Sequence, residues 1–164
     1  MVKPSQIPPA GRELGAEERE RLHSEMTSLV EQSHLFKSLD DDGRAEVLES
    51  GFVTAFHEGD RLIAQGQVGD RMFVVLSGTV RVHTDSPRGD VPLAELGRGA
   101  CIGEVSVLTG HPRTATVIAT TDVEAVVFAK HRVERVLTRY PKVRQLLEAL
   151  VERRAHDAIE KIIG

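Results

Sequence analysis

The chain has 164 residues, of which 40% are hydrophobic and 28% charged, and its formal net charge is -4. This composition is typical of one globular domain with a hydrophobic core, and it excludes a largely disordered or fibrous chain. The net negative charge gives no general electrostatic attraction for nucleic acid, because such binding depends on many Lys and Arg side chains that neutralise phosphates.

The N-terminal residues and the cysteine content point to an ordinary cytoplasmic protein. Residues 1–15 contain prolines at positions 4, 8 and 9 and no apolar run, so we expect a flexible tail rather than a secretory signal. Cys101 is the only cysteine and cannot form an intramolecular disulfide. No apolar run approaches the roughly 18 residues that a membrane span requires.

Residues 16–50 are predicted to form an N-terminal helical segment. Leu22, Met26, Leu29 and Val30 recur at helical spacing within the stretch 16–34. The run of three aspartates and a glycine at 40–43 predicts the start of a second, short helix that ends near residue 50. A calcium loop is the alternative reading of these aspartates, but its twelfth position would be a glycine instead of the bidentate glutamate. We therefore favour a helix cap.

Residues 51–130 are predicted to form an all-β region. Short stretches rich in β-branched residues alternate there with glycine-bearing turns. The stretches are 52–54, 61–63, 72–76, 80–82, 115–119 and 123–129, and the turns are 58–60, 66–70, 77–78 and 87–90. Many short strands at this spacing are typical of a β-sandwich or jelly roll.

The helical pattern returns over residues 131–164. A short segment runs to Arg139, and Pro141 then marks a break and suits the first turn of a new helix. We predict that this last helix is about five turns long. Its apolar residues lie on one face, and such a face usually packs in a core or a dimer interface. These residues are Val143, Leu146, Leu147, Leu150, Val151, Ile159 and Ile162.

The segment 102–116 carries the most informative chemistry. Gly103 permits close approach of the backbone and opens a predicted short helix, whose free N–H groups and positive dipole end favour an anion. Arg113 can supply a bidentate guanidinium that matches two phosphate oxygens. Glu104 would repel the same phosphate, but as an acceptor it suits a neighbouring hydroxyl such as that of a ribose. The pattern predicts a nucleotide site.

These residues resemble the cyclic-nucleotide-binding domain shared by bacterial catabolite activators, kinase regulatory subunits and cyclic-nucleotide-gated channels. The resemblance covers roughly residues 35–164, and its phosphate-binding cassette matches 102–104 and 112–116. Turn motifs at 58–60, 66–70 and 73–78 match the family in order. Ile102 replaces the aromatic residue that usually precedes the glycine. The resemblance implies a double-stranded β-helix, that is a jelly-roll sandwich, with N-terminal helices and a C-terminal lid helix.

By this resemblance, the ligand is cAMP or cGMP, and no other cofactor is expected. Glu104 would accept a hydrogen bond from the ribose 2′-hydroxyl, and Arg113 would pair with the exocyclic phosphate oxygens. Backbone N–H groups of Gly103, Glu104, Val105 and Ser106 would complete the phosphate cradle.

The identity of the base is predicted less sharply. A threonine at the position of Thr114 can bond the guanine amino group in members that favour cGMP, but one hydroxyl contributes only about 1 kcal/mol. We therefore expect cAMP, the commoner ligand of the family, with cGMP still open. The last helix of such domains closes over the purine, so Leu147, Leu150 or Arg154 could contact the base.

The expected function is that of a sensor, not an enzyme. Ser106 has no nucleophile elbow around it, the histidines are dispersed, and no metal or catalytic residues are assigned. Ligand binding would move the last helix about a hinge at 130–141. An effector protein, or the second subunit of a homodimer, would respond to that movement. The alternatives are a ligand-free scaffold, which predicts a disrupted cassette, and a fragment of a longer transcription factor or channel. No helix-turn-helix pattern follows the domain in this sequence.

Overall fold

The computed structural model describes residues 16–17, 20–21, 24–25, 27–28, 37, 39–103, 109–110 and 112–163, with the backbone alone at 48 and 157–163. The predicted tail, the apolar residues of the first predicted helix and the predicted short helix after Gly103 lie outside these residues. Those described between 16 and 28 have helical backbone. One of them, Arg21, places its Nη2 3.0 Å from Glu124 Oε2, and this hydrogen bond raises the pKa of Arg21.

Helix α1 (Asp41–Ser50) begins at the run of aspartates. Asp40 has an extended backbone, and its side chain accepts a hydrogen bond from the Gly43 N–H at 2.8 Å. This is the N-cap geometry in which a side-chain oxygen bonds one of the unpaired amides of the first turn. The aspartates therefore start a helix, as the sequence predicts.

Eight strands follow within the described part of the chain. They are β1 (Gly51–Phe56), β2 (Arg61–Ile63), β3 (Arg71–Ser77), β4 (Val80–Ser86), β5 (Gly89–Leu96), β6 (Cys101–Ile102), β7 (Thr116–Ala119) and β8 (Val123–Ala129). They pair antiparallel in two four-stranded sheets, in the orders β1-β8-β3-β6 and β2-β7-β4-β5. The predicted β-sandwich with flanking helices is confirmed.

Two buried clusters hold the layers together. The inner cluster fills the space between the sheets and includes Phe73, Val75 and Val117. Within it the rings of Phe56 and Phe73 pack edge to face, with centroids 6.0 Å apart. The outer cluster lies between the helices and the β1-β8-β3-β6 sheet. Strand β3 serves both clusters, because alternate side chains of a strand point to opposite faces; its residues 72–76 are all buried.

Two helices complete the described fold. Helix α2 (Lys130–Arg139) buries Val133, Val136 and Leu137, and the single residue Tyr140 separates it from helix α3 (Pro141–Ile163). The break at Pro141 lies where the sequence predicts it. With 23 residues, α3 is longer than the predicted five turns. No helix among the described residues combines the length and apolar character that crossing a membrane would require.

Candidate functional site

Arg113 is the most deeply buried charged side chain among the described residues, with 8% of its surface exposed. Its Nη1 donates to the carbonyl oxygen of Gly103 at 2.8 Å, and its Nη2 donates to the carbonyl oxygen of Arg71 at 2.6 Å. Burying a charge is costly unless hydrogen bonds compensate it. The two carbonyls satisfy part of that requirement and fix the direction in which the guanidinium points.

Two glycines make room for this guanidinium. A Cβ on Gly69 would lie 2.1 Å from Arg113 Nε and 2.2 Å from Cζ. A Cβ on Gly103 would lie 2.7 Å from Arg113 Nη1 and 2.9 Å from the Arg71 carbonyl oxygen. Gly103 also has φ +85, a left-handed conformation that other residues rarely adopt. The guanidinium therefore occupies a slot that any larger side chain at either position would obstruct.

The backbone of Arg113 is anchored to the loop between β2 and β3. The Arg113 N–H donates to the Gln67 carbonyl oxygen at 2.7 Å, and the Gly66 N–H donates to the Arg113 carbonyl oxygen at 2.8 Å. The same loop thus supplies backbone partners for Arg113 and, at Gly69, the space for its side chain. Arg113 is set in place by residues more than forty positions earlier in the chain.

A cavity of about 310 Å³ adjoins the guanidinium, between β2, the loop that follows it and the start of β3. This volume is at the lower end of the range for small-molecule sites. The lining includes apolar residues such as Leu62 and Phe73. Its charged residues are Arg61, Asp70, Arg71 and Arg113, so that cations outnumber the acid. Such a balance favours an anionic ligand with an apolar part.

The predicted site residues are distributed as follows. Gly103 and Arg113 are brought together, whereas Glu104, Val105 and Ser106 lie outside the described residues. The side chain of Thr114 is exposed and does not line the cavity. The site residues that sequence reasoning missed are Gly69, as a neighbour of the guanidinium, and the carbonyl of Arg71.

The candidate contacts on the last helix separate into two groups. Leu147 is 1% exposed and lies in the outer cluster, against which Leu150 also packs. Arg154 instead reaches the strand that leads into the cassette, where its Nη1 donates to the carbonyl oxygen of Cys101. Cys101 precedes Gly103 by two residues. Of the three, Arg154 is the side chain that links helix α3 to the predicted site.

Among the described residues, no group of three or more His, Cys, Asp or Glu side chains is placed to hold a metal ion. The single cysteine, Cys101, is buried in the outer cluster. Burial in apolar surroundings is typical of a packing cysteine, whereas reactive thiols are usually exposed and close to positive charge.

Comparison with known proteins identifies a family and several relatives of this chain. The family model for the cyclic nucleotide-binding domain matches residues 53–140. The chain is 31% identical over 100 residues to the cAMP-dependent protein kinase type II regulatory subunit of Drosophila melanogaster, covering 61% of this chain and 26% of the relative. It is 32% identical over 127 residues to the cAMP-dependent protein kinase regulatory subunit of Blastocladiella emersonii, covering 75% and 31% respectively. It thus spans less than a third of either curated relative.

A solved structure supports the same relationship. The catabolite activator protein of Thermus thermophilus superposes with a TM-score of 0.70 at 29% identity, over 78% of this chain and 61% of that one. The residues 53–140 that the family model matches include strands β2–β8 and helix α2.

Proposed function

The chain belongs to the family of cyclic nucleotide-binding domains, and from this premise we propose that it is a regulatory domain that binds cAMP at Arg113 and transmits binding through helix α3. One observation carries the proposal: the Arg113 guanidinium is buried, bonded to the carbonyl of Gly103 and adjoined by a cavity of suitable size. In the family, this pair of residues belongs to the segment that holds the cyclic phosphate.

The arrangement suits a phosphate for electrostatic reasons. A guanidinium carries five N–H donors in one plane and pairs with two oxygens of a phosphate at once. Charge-assisted hydrogen bonds of this kind are stronger when water is excluded, and Arg113 is almost fully buried. Arg61 and Arg71 add positive charge to the cavity lining. An anion would therefore gain both a directed partner and a favourable local potential.

The remaining cassette contacts are proposed from the sequence. Glu104 would accept from the ribose 2′-hydroxyl, and the N–H groups of Gly103, Glu104, Val105 and Ser106 would hold the phosphate. These residues directly follow the position to which Arg113 is bonded.

The preference for cAMP rests on the relatives. Both matched kinase subunits are named as cAMP-dependent. Thr114, the residue that would favour cGMP, has an exposed side chain. A solvent-exposed hydroxyl gains little from a bond to the guanine amino group, because water already satisfies both partners. We therefore rank cAMP first and cGMP second.

Transmission through the C-terminal helix is proposed from the contact between Arg154 and Cys101. A ligand shifts a conformational equilibrium only by the difference in its affinity for the two states. The Cys101 carbonyl lies two residues before Gly103, so movement of the cassette would strain or relieve the bond to Arg154. Along the chain, the single residue Tyr140 separates helix α3 from α2. An effector protein or a second copy of the chain would bind α3 in one of its positions and not in the other.

The rival hypothesis is a scaffold that uses the fold for protein contacts without a ligand. Calorimetric titration of the chain with cAMP, cGMP and 5′-AMP separates the two. We expect saturable binding of cAMP at micromolar or lower concentration, weaker binding of cGMP, and the weakest binding of 5′-AMP, whose open phosphate carries more charge and a different shape. Absence of heat from all three at tens of micromolar would favour the scaffold.

A further inference from the structure

The pairing between β4 and β7 ends at Thr116, three residues after Arg113 in the chain. The last registered pair of these strands is His83 with Thr116. Beyond it, residues 112–115 have no strand partner in either sheet. Some other interaction must therefore hold the segment that carries Arg113.

Two side chains take over where the strand pairing ends. Thr84, which is 5% exposed, donates from Oγ1 to the carbonyl oxygen of Thr114 at 3.1 Å. Gln65 accepts at Oε1 from the Asp85 N–H at 2.8 Å, and its Nε2 makes a longer contact of 3.5 Å with the Asp85 carbonyl oxygen. The side-chain amide of Gln65 thus contacts both the N–H and the carbonyl oxygen of Asp85, as the backbone of a neighbouring strand would.

Gln65 also connects this strand end to the arginine segment. Its backbone N–H donates to Thr116 Oγ1 at 3.1 Å. The next two residues of the same loop, Gly66 and Gln67, bond the Arg113 carbonyl and N–H. The loop thus holds Arg113 itself by its backbone, while Thr84 and Gln65 hold the two residues Thr114 and Thr116 that follow it.

We propose that Gln65 and Thr84 are positioning residues of the nucleotide site, which act on the ligand through Arg113 and do not touch it. The inference rests on the proposed function and extends it. Gln65 ties the loop that anchors the Arg113 backbone to strand β4, and Thr84 ties the residue after Arg113 to the same strand. Without the Gln65 or the Thr84 side-chain bond, the segment that carries Arg113 can move away from Gly69 and Gly103. The guanidinium is then less often in the position that binds the phosphate, and the affinity for the ligand falls.

The test compares Gln65→Ala and Thr84→Val with the conservative variants Gln65→Glu and Thr84→Ser. Gln65→Glu keeps the acceptor for the Asp85 N–H, and Thr84→Ser keeps the hydroxyl. We expect the first two variants to bind cAMP roughly fivefold more weakly, the worth of one hydrogen bond of ordinary strength. Thr84→Ser should recover most of the affinity, and Gln65→Glu, which has no donor for the Asp85 carbonyl oxygen, should recover part of it. Gln145→Ala, at an exposed position of α3, is the composition-matched control.

A double-mutant cycle identifies the route of the effect. In the Arg113→Ala background, Gln65→Ala should weaken binding no further, because the residue through which it acts is gone. Equal effects of Gln65→Ala in both backgrounds would overturn the positioning role and indicate a general loss of stability.

A ligand-free measurement keeps this inference separate from the proposed function. Hydrogen exchange of the Arg113 and Gly66 amides, followed by NMR without nucleotide, should accelerate in Gln65→Ala and Thr84→Val and not in Gln145→Ala. Unchanged exchange at both amides would overturn the inference even if the wild-type chain binds cAMP. Conversely, a wild-type chain that binds no cyclic nucleotide would refute the proposed function, while faster exchange would still establish the positioning of Arg113.

Discussion

Gly69 lies directly against the guanidinium of Arg113, so closely that a Cβ on this glycine would fall 2.1 Å from Nε. The φ of Gly69 is not in the left-handed region, so an alanine at this position has no backbone penalty of that kind. The three heavy atoms nearest to the added Cβ all belong to the Arg113 guanidinium. This makes Gly69 a means of displacing the arginine without removing it.

Gly69→Ala should weaken cAMP binding at least tenfold and lower the free energy of unfolding by roughly 1–3 kcal/mol, because the added methyl group displaces the buried guanidinium from the slot. The measurement is a titration with cAMP together with urea unfolding. Gly97→Ala is the matched control, since a Cβ there would meet its nearest neighbour at an ordinary 3.7 Å. Equal cAMP affinity for Gly69→Ala and the wild-type chain would contradict the slot described above.

Gly103→Ala should be distinctly more destabilising than Gly89→Ala. Both glycines have positive φ, +85 and +108, so both substitutions carry the left-handed penalty of roughly 1–2 kcal/mol. Only at Gly103 would the Cβ also crowd Arg113 and the Arg71 carbonyl, while nothing lies within 4 Å at Gly89. Crowding of this kind costs roughly 1–3 kcal/mol more. Denaturant unfolding of the two variants measures the difference, and equal losses of stability would contradict the crowding.

Arg154→Ala should loosen helix α3 in the absence of nucleotide, because it removes the bond to the Cys101 carbonyl. Hydrogen exchange over residues 143–163 is expected to accelerate and to respond less to added cAMP than in the wild-type chain. Arg153→Ala, at the neighbouring exposed position, serves as the control. If α3 in Arg154→Ala kept the full response to cAMP, the proposed route of transmission through this residue would be wrong.

Asp40→Ala should reduce the free energy of unfolding by about 1 kcal/mol, the usual cost of losing an N-cap side chain, while Asp40→Asn should lose little. The reason is the hydrogen bond from the Gly43 N–H to the Asp40 carboxylate. Thermal or urea unfolding distinguishes the two variants. A similar loss in both would show that the charge of Asp40, not its cap bond, is what stabilises α1.

The sequence was sufficient to predict the sandwich, because most strands carry apolar residues at alternating or continuously buried positions. Strand β8, for example, is buried at five of its seven residues. Strand β5 was missed because it lies at the edge of its sheet, contains Pro92 and buries none of its residues fully. Strand β6 was missed because two residues are too few to show a pattern.

The site was predictable only in part, for a different reason. Arg113 and Gly103 could be identified because their residue types and spacing carry the chemistry of anion binding. The partners that place Arg113 could not, because the Arg71 and Gln67 carbonyls are backbone groups that any residue would supply. Gly69 is recognisable as a turn glycine, but its contact with Arg113 depends on the fold bringing two distant loops together.

The central claim is that Arg113 binds the cyclic phosphate, and calorimetric titration of Arg113→Ala with cAMP tests it most directly. Arg98→Ala is the matched control, since Arg98 Nη1 also donates to a carbonyl, that of Leu76 at 2.9 Å, but does not line the cavity. Loss of charge-assisted hydrogen bonds worth about 1.5–3 kcal/mol predicts binding roughly 10- to 150-fold weaker for Arg113→Ala, with Arg98→Ala close to wild type. A folded Arg113→Ala chain that bound cAMP as tightly as the wild type would contradict the account.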